Sequence, residues 1–272
     1  MGDPQFGTVI ARRAHERLEG ASGTSQHFND FPTTVASSEA GRFLRGALLK
    51  YDAVADYRRL LMAIASDPLL GVGGDVVTEP RKACGLVRSE LLGACIILRQ
   101  FGLGLAGRHF EPVWKVYIEE AVIRGRIGCV VAAATPAVSK ASSILCAALP
   151  YIGVAVQIAV GTGENKDRLL RKLSQGGELF TSVKQIYEND PTEEVLRLVS
   201  DWGISEETIA AGVIQGDVRD LLTLINCLRN EELGASNKEQ LLSLGVTAAA
   251  DALVAASRAA IREGYRWNWL TN

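Results

Sequence analysis

The sequence predicts an all-α protein, and three observations support that fold class. Apolar residues recur at helical spacing in one segment after another. No run of alternating apolar and polar residues is longer than four, so the pattern of a half-buried strand is missing. Alanine, leucine, valine and isoleucine supply most of the apolar content, whereas aromatic residues make up only 6% of the chain. This composition favours packed helices over a β-sandwich.

The length and charge of the chain narrow the functional classes. Its 272 residues are enough for a large core, and 47% apolar with 22% charged residues is an ordinary globular profile. The net charge of −2 gives no basis for a general nucleic-acid surface, so no nucleic-acid partner is expected. Three parts are predicted, namely an N-terminal segment, an N-terminal helical lobe and a second helical lobe with an aromatic tail: residues 1–30, 31–110 and 111–272.

The five cysteines and the N-terminus indicate the compartment. The cysteines are odd in number and widely spaced without a Cys-x-x-Cys pair, so neither a disulfide framework nor a zinc site is predicted. The first residues are polar and charged and do not resemble a signal peptide, so we expect a cytoplasmic protein.

Helices of the first lobe are predicted from apolar periodicity. One follows Pro32, a second covers residues 54–65 and a third covers 82–106. Residues 69–81 are rich in glycine, but no strand precedes them and no Gly-Lys-Ser/Thr follows. We therefore interpret them as a plain loop rather than a phosphate-binding loop.

Helices of the second lobe follow from the same periodicity. The expected ranges are 110–127, 128–134, 137–160, 164–187, 221–228, 238–244 and 247–262. A further helix has a clear start, with Asp190 as N-cap, Pro191 at the first position and Glu193 at the third, and is expected to reach Trp202. The tail after residue 264 carries two tryptophans and is predicted to dock on the domain.

The stretch Ala141–Gly163 is the longest run without a charge, bounded by Lys140 and Glu164. A segment this apolar is either the buried centre of a helical domain or a membrane span. Pro150 at its centre, and Tyr151 where the middle of a bilayer would be, argue against a span. We therefore predict a core helix, with the membrane span as the alternative.

Several segments occur in the order found in a known family. Phe31-Pro32 precedes an amphipathic helix, and the next helix ends in Ser66-Asp67-Pro68. Further on come Val87–Leu98, Ala147–Gly153 and Leu196–Val213, the last containing Trp-Gly-Ile-Ser-Glu-Glu. Together these segments resemble the HDOD domains of bacterial signal-transduction proteins. The resemblance implies a multi-helix bundle of the HD type, forming one globular unit.

The resemblance also implies that the chain is not an enzyme. The metal-ligand positions of the HD phosphohydrolases fall on Val116, Pro150, Tyr151 and Gly216, none of which is the expected His or Asp. No metal or other cofactor is therefore expected. The implied function is a non-catalytic signalling or regulatory module. A metal-dependent phosphohydrolase with residual activity, and an unrelated all-α structural or membrane-associated protein, are the alternatives.

Charged side chains suggest one ligand site. Arg42, Arg45, Arg58 and Arg59 lie on consecutive predicted helices and could hold a phosphate-bearing ligand such as a nucleotide second messenger. Interleaved aspartates favour a solvated face instead. The expected partner is another protein, and a homo-oligomer is left open.

Adjacent acids point in different directions on a helix, so Glu119 and Glu120 do not face each other as a pair of catalytic acids would. Arg124 follows one turn later, and this spacing predicts a surface ion pair.

Overall fold

A computed structural model of the chain describes residues 55–71, 76–200 and 218–270. These ranges are helical and contain no β-strand, which confirms the all-α fold class. The α-helices are α1 Ala55–Ser66, α2 Pro80–Leu86, α3 Ser89–Leu105, α4 Glu111–Ala133, α5 Lys140–Val160, α6 Gly163–Ser174, α7 Leu179–Tyr187, α8 Pro191–Ser200, α9 Val218–Arg229, α10 Lys238–Ser243 and α11 Ala250–Arg262. Two 3-10 segments, Ala235–Asn237 and Gly264–Leu270, complete the described fold, and we call the second the tail.

Helices α4 and α5 form the central antiparallel hairpin. Gly128 of α4 is so close to α5 that a Cβ there would lie 2.6 Å from Ser143 Oγ. Most side chains of α5 are buried, and Pro150 lies inside the helix. The prediction that this stretch is a buried helix is therefore confirmed. By length and composition α5 could also cross a bilayer, although 78% of its most apolar window is buried inside the fold.

Two clusters of buried apolar side chains make up the interior. The larger one includes residues from α1 and α3 through α5 to the tail, so it draws on both sequence ranges predicted as lobes. The smaller one lies between the second half of α4 and the helices α9 and α11. The central hairpin contributes to both clusters, and it therefore joins them.

A buried ion pair connects four elements of the fold. Asp67, directly after α1, accepts a hydrogen bond at Oδ2 from Arg126 Nη1 of α4 at 2.6 Å. The same oxygen accepts from Trp267 Nε1 of the tail at 3.0 Å. Oδ1 accepts from the backbone N–H of Leu69 at 2.8 Å, and Arg126 Nε donates to the carbonyl of Ala260 in α11 at 2.8 Å. The carboxylate and the guanidinium thus hold α1, α4, α11 and the tail together.

The tail docks on this core, as predicted from its tryptophans. Trp267, Trp269 and Leu270 are buried. Arg99 Nη1 of α3 donates to the carbonyl of Trp269. Gly102 accommodates the tail, because a Cβ at that position would lie 1.8 Å from the carbonyl oxygen of Leu270.

Some helix boundaries differ from the predictions for local reasons. The range 82–106 is two helices, because the backbone of Val87 is extended. The ranges 110–127 and 128–134 are one helix, since Gly128 permits close packing on α5 rather than ending α4. The range 164–187 is two helices, and Gly176 in the turn between them has a φ of +83°.

The cap of α8 confirms the predicted helix start. Asp190 Oδ1 accepts from the N–H of Thr192 at 2.9 Å and from that of Glu193 at 3.3 Å. Trp202, where this helix was expected to end, lies outside the described residues.

Removing the buried guanidinium should destabilise the fold strongly. Arg126→Met leaves the Asp67 carboxylate, which is 2% exposed, without its charge partner. We expect the free energy of unfolding to fall by about 3–5 kcal/mol, measured by urea denaturation. Arg258→Met, which breaks an exposed pair with Glu231, is the control and should change it little. Equal losses in the two variants would contradict the central role of the buried pair.

Docking of the tail can be tested by adding a side chain at Gly102, where the tail packs on α3. Gly102→Ala should displace Leu270 and cost about 1–3 kcal/mol of unfolding free energy by overpacking, with a red shift of tryptophan fluorescence. Gly85→Ala is the matched control, because nothing lies within 4 Å of a Cβ there. It should leave the fluorescence unchanged and the stability unchanged or slightly higher. A fluorescence shift of the same size in both variants would contradict the packing of the tail against Gly102.

Candidate functional site

The four positions that the resemblance equates with metal ligands differ in their exposure to solvent and in the elements that carry them. Val116 of α4 is 57% exposed to solvent. Pro150 and Tyr151 are adjacent and half-buried within α5. Gly216 lies outside the described residues. Valine and proline side chains carry no donor atom, and across the described ranges no group of three or more His, Cys, Asp or Glu residues comes together.

The predicted arginine cluster is only partly covered by the structure. Arg58 of α1 is half-buried and Arg59 is exposed. Arg42 and Arg45 lie outside the described residues. Whether the four arginines share one surface therefore stays a prediction.

Buried cysteines are poor candidates for nucleophiles. Cys95 and Cys129 are fully buried in the larger core. Burial raises the pKa of the Cys95 thiol well above its ordinary value and raises that of Cys129 to about 12. Both groups therefore remain thiols near neutral pH, which is the weakly nucleophilic form.

A different group of side chains surrounds Tyr151, and we call it the Tyr151 cluster. Its members are Tyr151 of α5, Glu120 and Arg124 of α4, and Asn226 and Arg229 of α9. The guanidinium of Arg124 lies over the Tyr151 ring, 4.4 Å from its centroid. The Phe180 ring of α7 meets Tyr151 edge-on, with centroids 5.2 Å apart. The ring is therefore held between a cation on its face and an aromatic neighbour at its edge.

Glu120 is the centre of the polar part of the cluster. Its Oε1 accepts from Arg124 Nε at 2.8 Å. Arg229 Nε lies 3.1 Å and 3.2 Å from the two carboxylate oxygens, and Arg229 Nη2 donates to Oε2 at 3.0 Å. Arg124 Nη1 donates to Asn226 Oδ1. One carboxylate thus lies between two guanidinium groups, so the three charges sum to +1.

Some hydrogen-bond donors of the Tyr151 cluster make no hydrogen bond within the described residues. Among the described residues, Arg124 Nη2, Arg229 Nη1 and the Tyr151 hydroxyl have no hydrogen-bonding partner, and none of these atoms is enclosed. The side chains of Arg124, Glu120 and Arg229 are 14%, 19% and 34% exposed. The cluster is therefore partly buried, and it keeps N–H and O–H groups that are not fully enclosed.

The environment keeps the Tyr151 hydroxyl protonated. Burial raises the pKa of Tyr151 above its ordinary value, and Arg124 opposes the shift while Glu120 adds to it. A phenol in this state donates a hydrogen bond and carries no negative charge at neutral pH. The cluster therefore offers cationic and neutral donors together.

Two of the five members of this cluster were predicted from the sequence to pair with each other. The predicted ion pair of Glu120 with Arg124, four residues apart, is present, but the two side chains are only 19% and 14% exposed, so it is a partly buried pair and not the surface pair that was expected. Asn226 and Arg229 were missed because they are about a hundred residues away in the chain, and only the packing of α9 on α4 brings them in. Tyr151 was singled out, but as the replacement of a metal ligand rather than as part of an arginine cluster.

Comparison with known proteins does not assign this chain to a family. No protein-family model, no characterised protein and no solved structure matches this chain. The functional inference therefore depends on its own residues and their geometry.

The protonation state of Tyr151 can be measured. The tyrosinate absorbance lost in Tyr151→Phe should titrate above pH 10.0, the ordinary tyrosine value, because burial disfavours the phenolate. The native state then holds this proton more tightly than the unfolded state. Its contribution to the free energy of unfolding is complete below the unfolded pKa and declines as pH rises further.

The Tyr151→Phe variant should therefore lose less stability than the wild type when the pH is raised past about 10. Tyr265→Phe, which removes an exposed phenol, controls for the loss of one chromophore. A difference titration for Tyr151 centred at or below the ordinary value would show that the ring is not buried as described.

Proposed function

We propose that this protein is a non-catalytic signalling or regulatory module of the HDOD type, which acts by binding through the Tyr151 cluster. One observation carries the proposal. At the place where the resemblance puts the catalytic His-Asp pair, the chain has Pro150 and Tyr151, and the guanidinium of Arg124 lies over the tyrosine ring.

The chemistry of the cluster supports binding rather than hydrolysis of the HD type. HD hydrolases hold a metal ion with neutral imidazole and carboxylate groups and use it to activate water. A site with two permanently charged guanidinium groups repels a cation and attracts anions instead. The carboxylate of Glu120 is already shared between these two groups and is not available as a free ligand.

The expected partner is another protein or a nucleotide in the cytoplasm. Arginine forks recognise carboxylates and phosphates through paired hydrogen bonds. Either chemistry is present on acidic protein surfaces and on nucleotides, so the cluster suits both kinds of partner.

A membrane-associated protein is the second candidate, since α5 is long and apolar enough to cross a bilayer by length and composition. The extensive burial of the same helix is what the core helix of a globular bundle requires. Flotation of the purified chain with vesicles in high salt distinguishes the candidates, because a membrane protein would remain with the lipid.

The proposal predicts no hydrolysis. The full-length chain is incubated with Mn²⁺ or Mg²⁺ and with a chromogenic phosphodiester, a nucleoside monophosphate or a cyclic dinucleotide. We expect no turnover above the blank, because none of the positions of the metal ligands carries the expected His or Asp. Metal-dependent turnover that copurifies with the protein and is lost in Glu120→Gln would contradict the proposal. Arg258→Gln, far from this carboxylate in the sequence and in another ion pair, serves as the control.

A further inference from the structure

We propose that the Tyr151 cluster is a binding site for a phosphoryl group, and that Glu120 is an internal competitor which the ligand displaces. The proposal rests on the proposed function and assigns a ligand class to it. It also places the phosphate site at Arg124 and Arg229 rather than at the arginines of the N-terminal helices. The ligand is a phosphate dianion, either free or as the monoester of a nucleoside.

Geometry allows the displacement. Arg124 keeps two further contacts when Glu120 leaves, namely the stack on the Tyr151 ring and the hydrogen bond to Asn226. Its guanidinium therefore stays in place. Arg229 lies at the end of α9, where its side chain is the most exposed of the three charged groups. Glu120 is itself partly exposed, so its carboxylate can turn towards water.

Charge and donor number favour a dianion. Once Glu120 has turned away, two guanidinium groups carry a charge of +2, which matches a phosphate monoester of charge near −2 at neutral pH. The freed N–H groups of both arginines, with the unused Nη atoms and the phenol O–H, add to the number of available donors. A phosphodiester has a single charge and fewer terminal oxygens, so it should bind more weakly.

A comparison with a second carboxylate that lies between two arginines shows why the Tyr151 cluster can bind an external phosphate. Glu263 also lies near two arginines, at 3.0 Å from Arg266 Nε and 3.5 Å from Arg126 Nη2. Arg126 is wholly buried and paired with Asp67, so its guanidinium cannot reach an external ligand. At the Tyr151 cluster both arginines remain partly open to solvent.

The test is a titration of the full-length chain with inorganic phosphate by isothermal calorimetry, with circular dichroism to confirm folding of each variant. Glu120→Gln removes the competing charge and should bind phosphate roughly tenfold more tightly than the wild type or better, the scale of one charge-assisted hydrogen bond. Arg229→Gln should weaken binding by a similar factor. Arg258→Gln removes an exposed arginine from another ion pair and should leave the affinity unchanged.

The opposite results would overturn the assignment. If Glu120→Gln binds phosphate no better than the wild type, Glu120 is a structural link and not a competitor. If no variant binds phosphate, the ligand class is wrong. If Arg258→Gln weakens binding as much as Arg229→Gln, the interaction is a general charge effect. In these cases the non-catalytic proposal still stands, because only metal-dependent turnover contradicts it.

The source of the phosphoryl group is resolved in the same titration. A nucleoside monophosphate that binds at least as tightly as inorganic phosphate, with both weakened in Arg229→Gln, supports recognition of the phosphoryl group. Binding of a cyclic dinucleotide without any binding of inorganic phosphate would overturn the proposal, because the diester would then be recognised through its bases.

Discussion

The buried ion pair of Asp67 with Arg126 is the constraint on which the rest of the structure depends. Removing two charges from water costs several kcal/mol each, so the pair depends on further hydrogen bonds around it. The indole N–H of Trp267, the backbone N–H of Leu69 and the carbonyl of Ala260 supply most of these bonds. Arg126 Nη2 makes no hydrogen bond among the described residues and lies 3.5 Å from Glu263 Oε2. These partners belong to elements from both ends of the described chain. The requirement to satisfy one carboxylate and one guanidinium therefore fixes how α1, α4, α11 and the tail meet.

Helix α4 connects this core to the candidate site. Residues two apart on a helix point about 200° apart around its axis, so Arg124 and Arg126 face opposite sides. Arg126 is directed into the larger core, whereas Arg124 and Glu120 meet α9 and the Tyr151 ring. Close packing of α4 on α5 at Gly128 sets the distance between the two helices. The position of the cluster thus follows from the same hairpin that organises the core.

The guanidinium groups of the Tyr151 cluster explain how the proposed module would bind an anionic ligand. Guanidinium groups keep their charge at any physiological pH, and their planar forks match the oxygens of phosphates and carboxylates. An internal carboxylate that occupies such forks prevents them from binding weak or singly charged anions. A partly buried ion network of this kind is therefore suited to a selective binding site, in which a ligand must offer more charge than Glu120 does.

The sequence by itself determined the helical class, the cap of α8 at Asp190, the burial of α5 and the docking of the tail. Each follows from local periodicity, capping chemistry or the cost of exposing large apolar surfaces. It did not reveal that Asp67 pairs with Arg126 or that Arg229 joins Glu120, because these partners are 59 and 109 residues apart. Contacts at such separations depend on how helices cross, and helix packing is decided by the whole core rather than by any one segment. Only the tertiary structure decided which charges distant in the sequence are paired, and so where a ligand site could form.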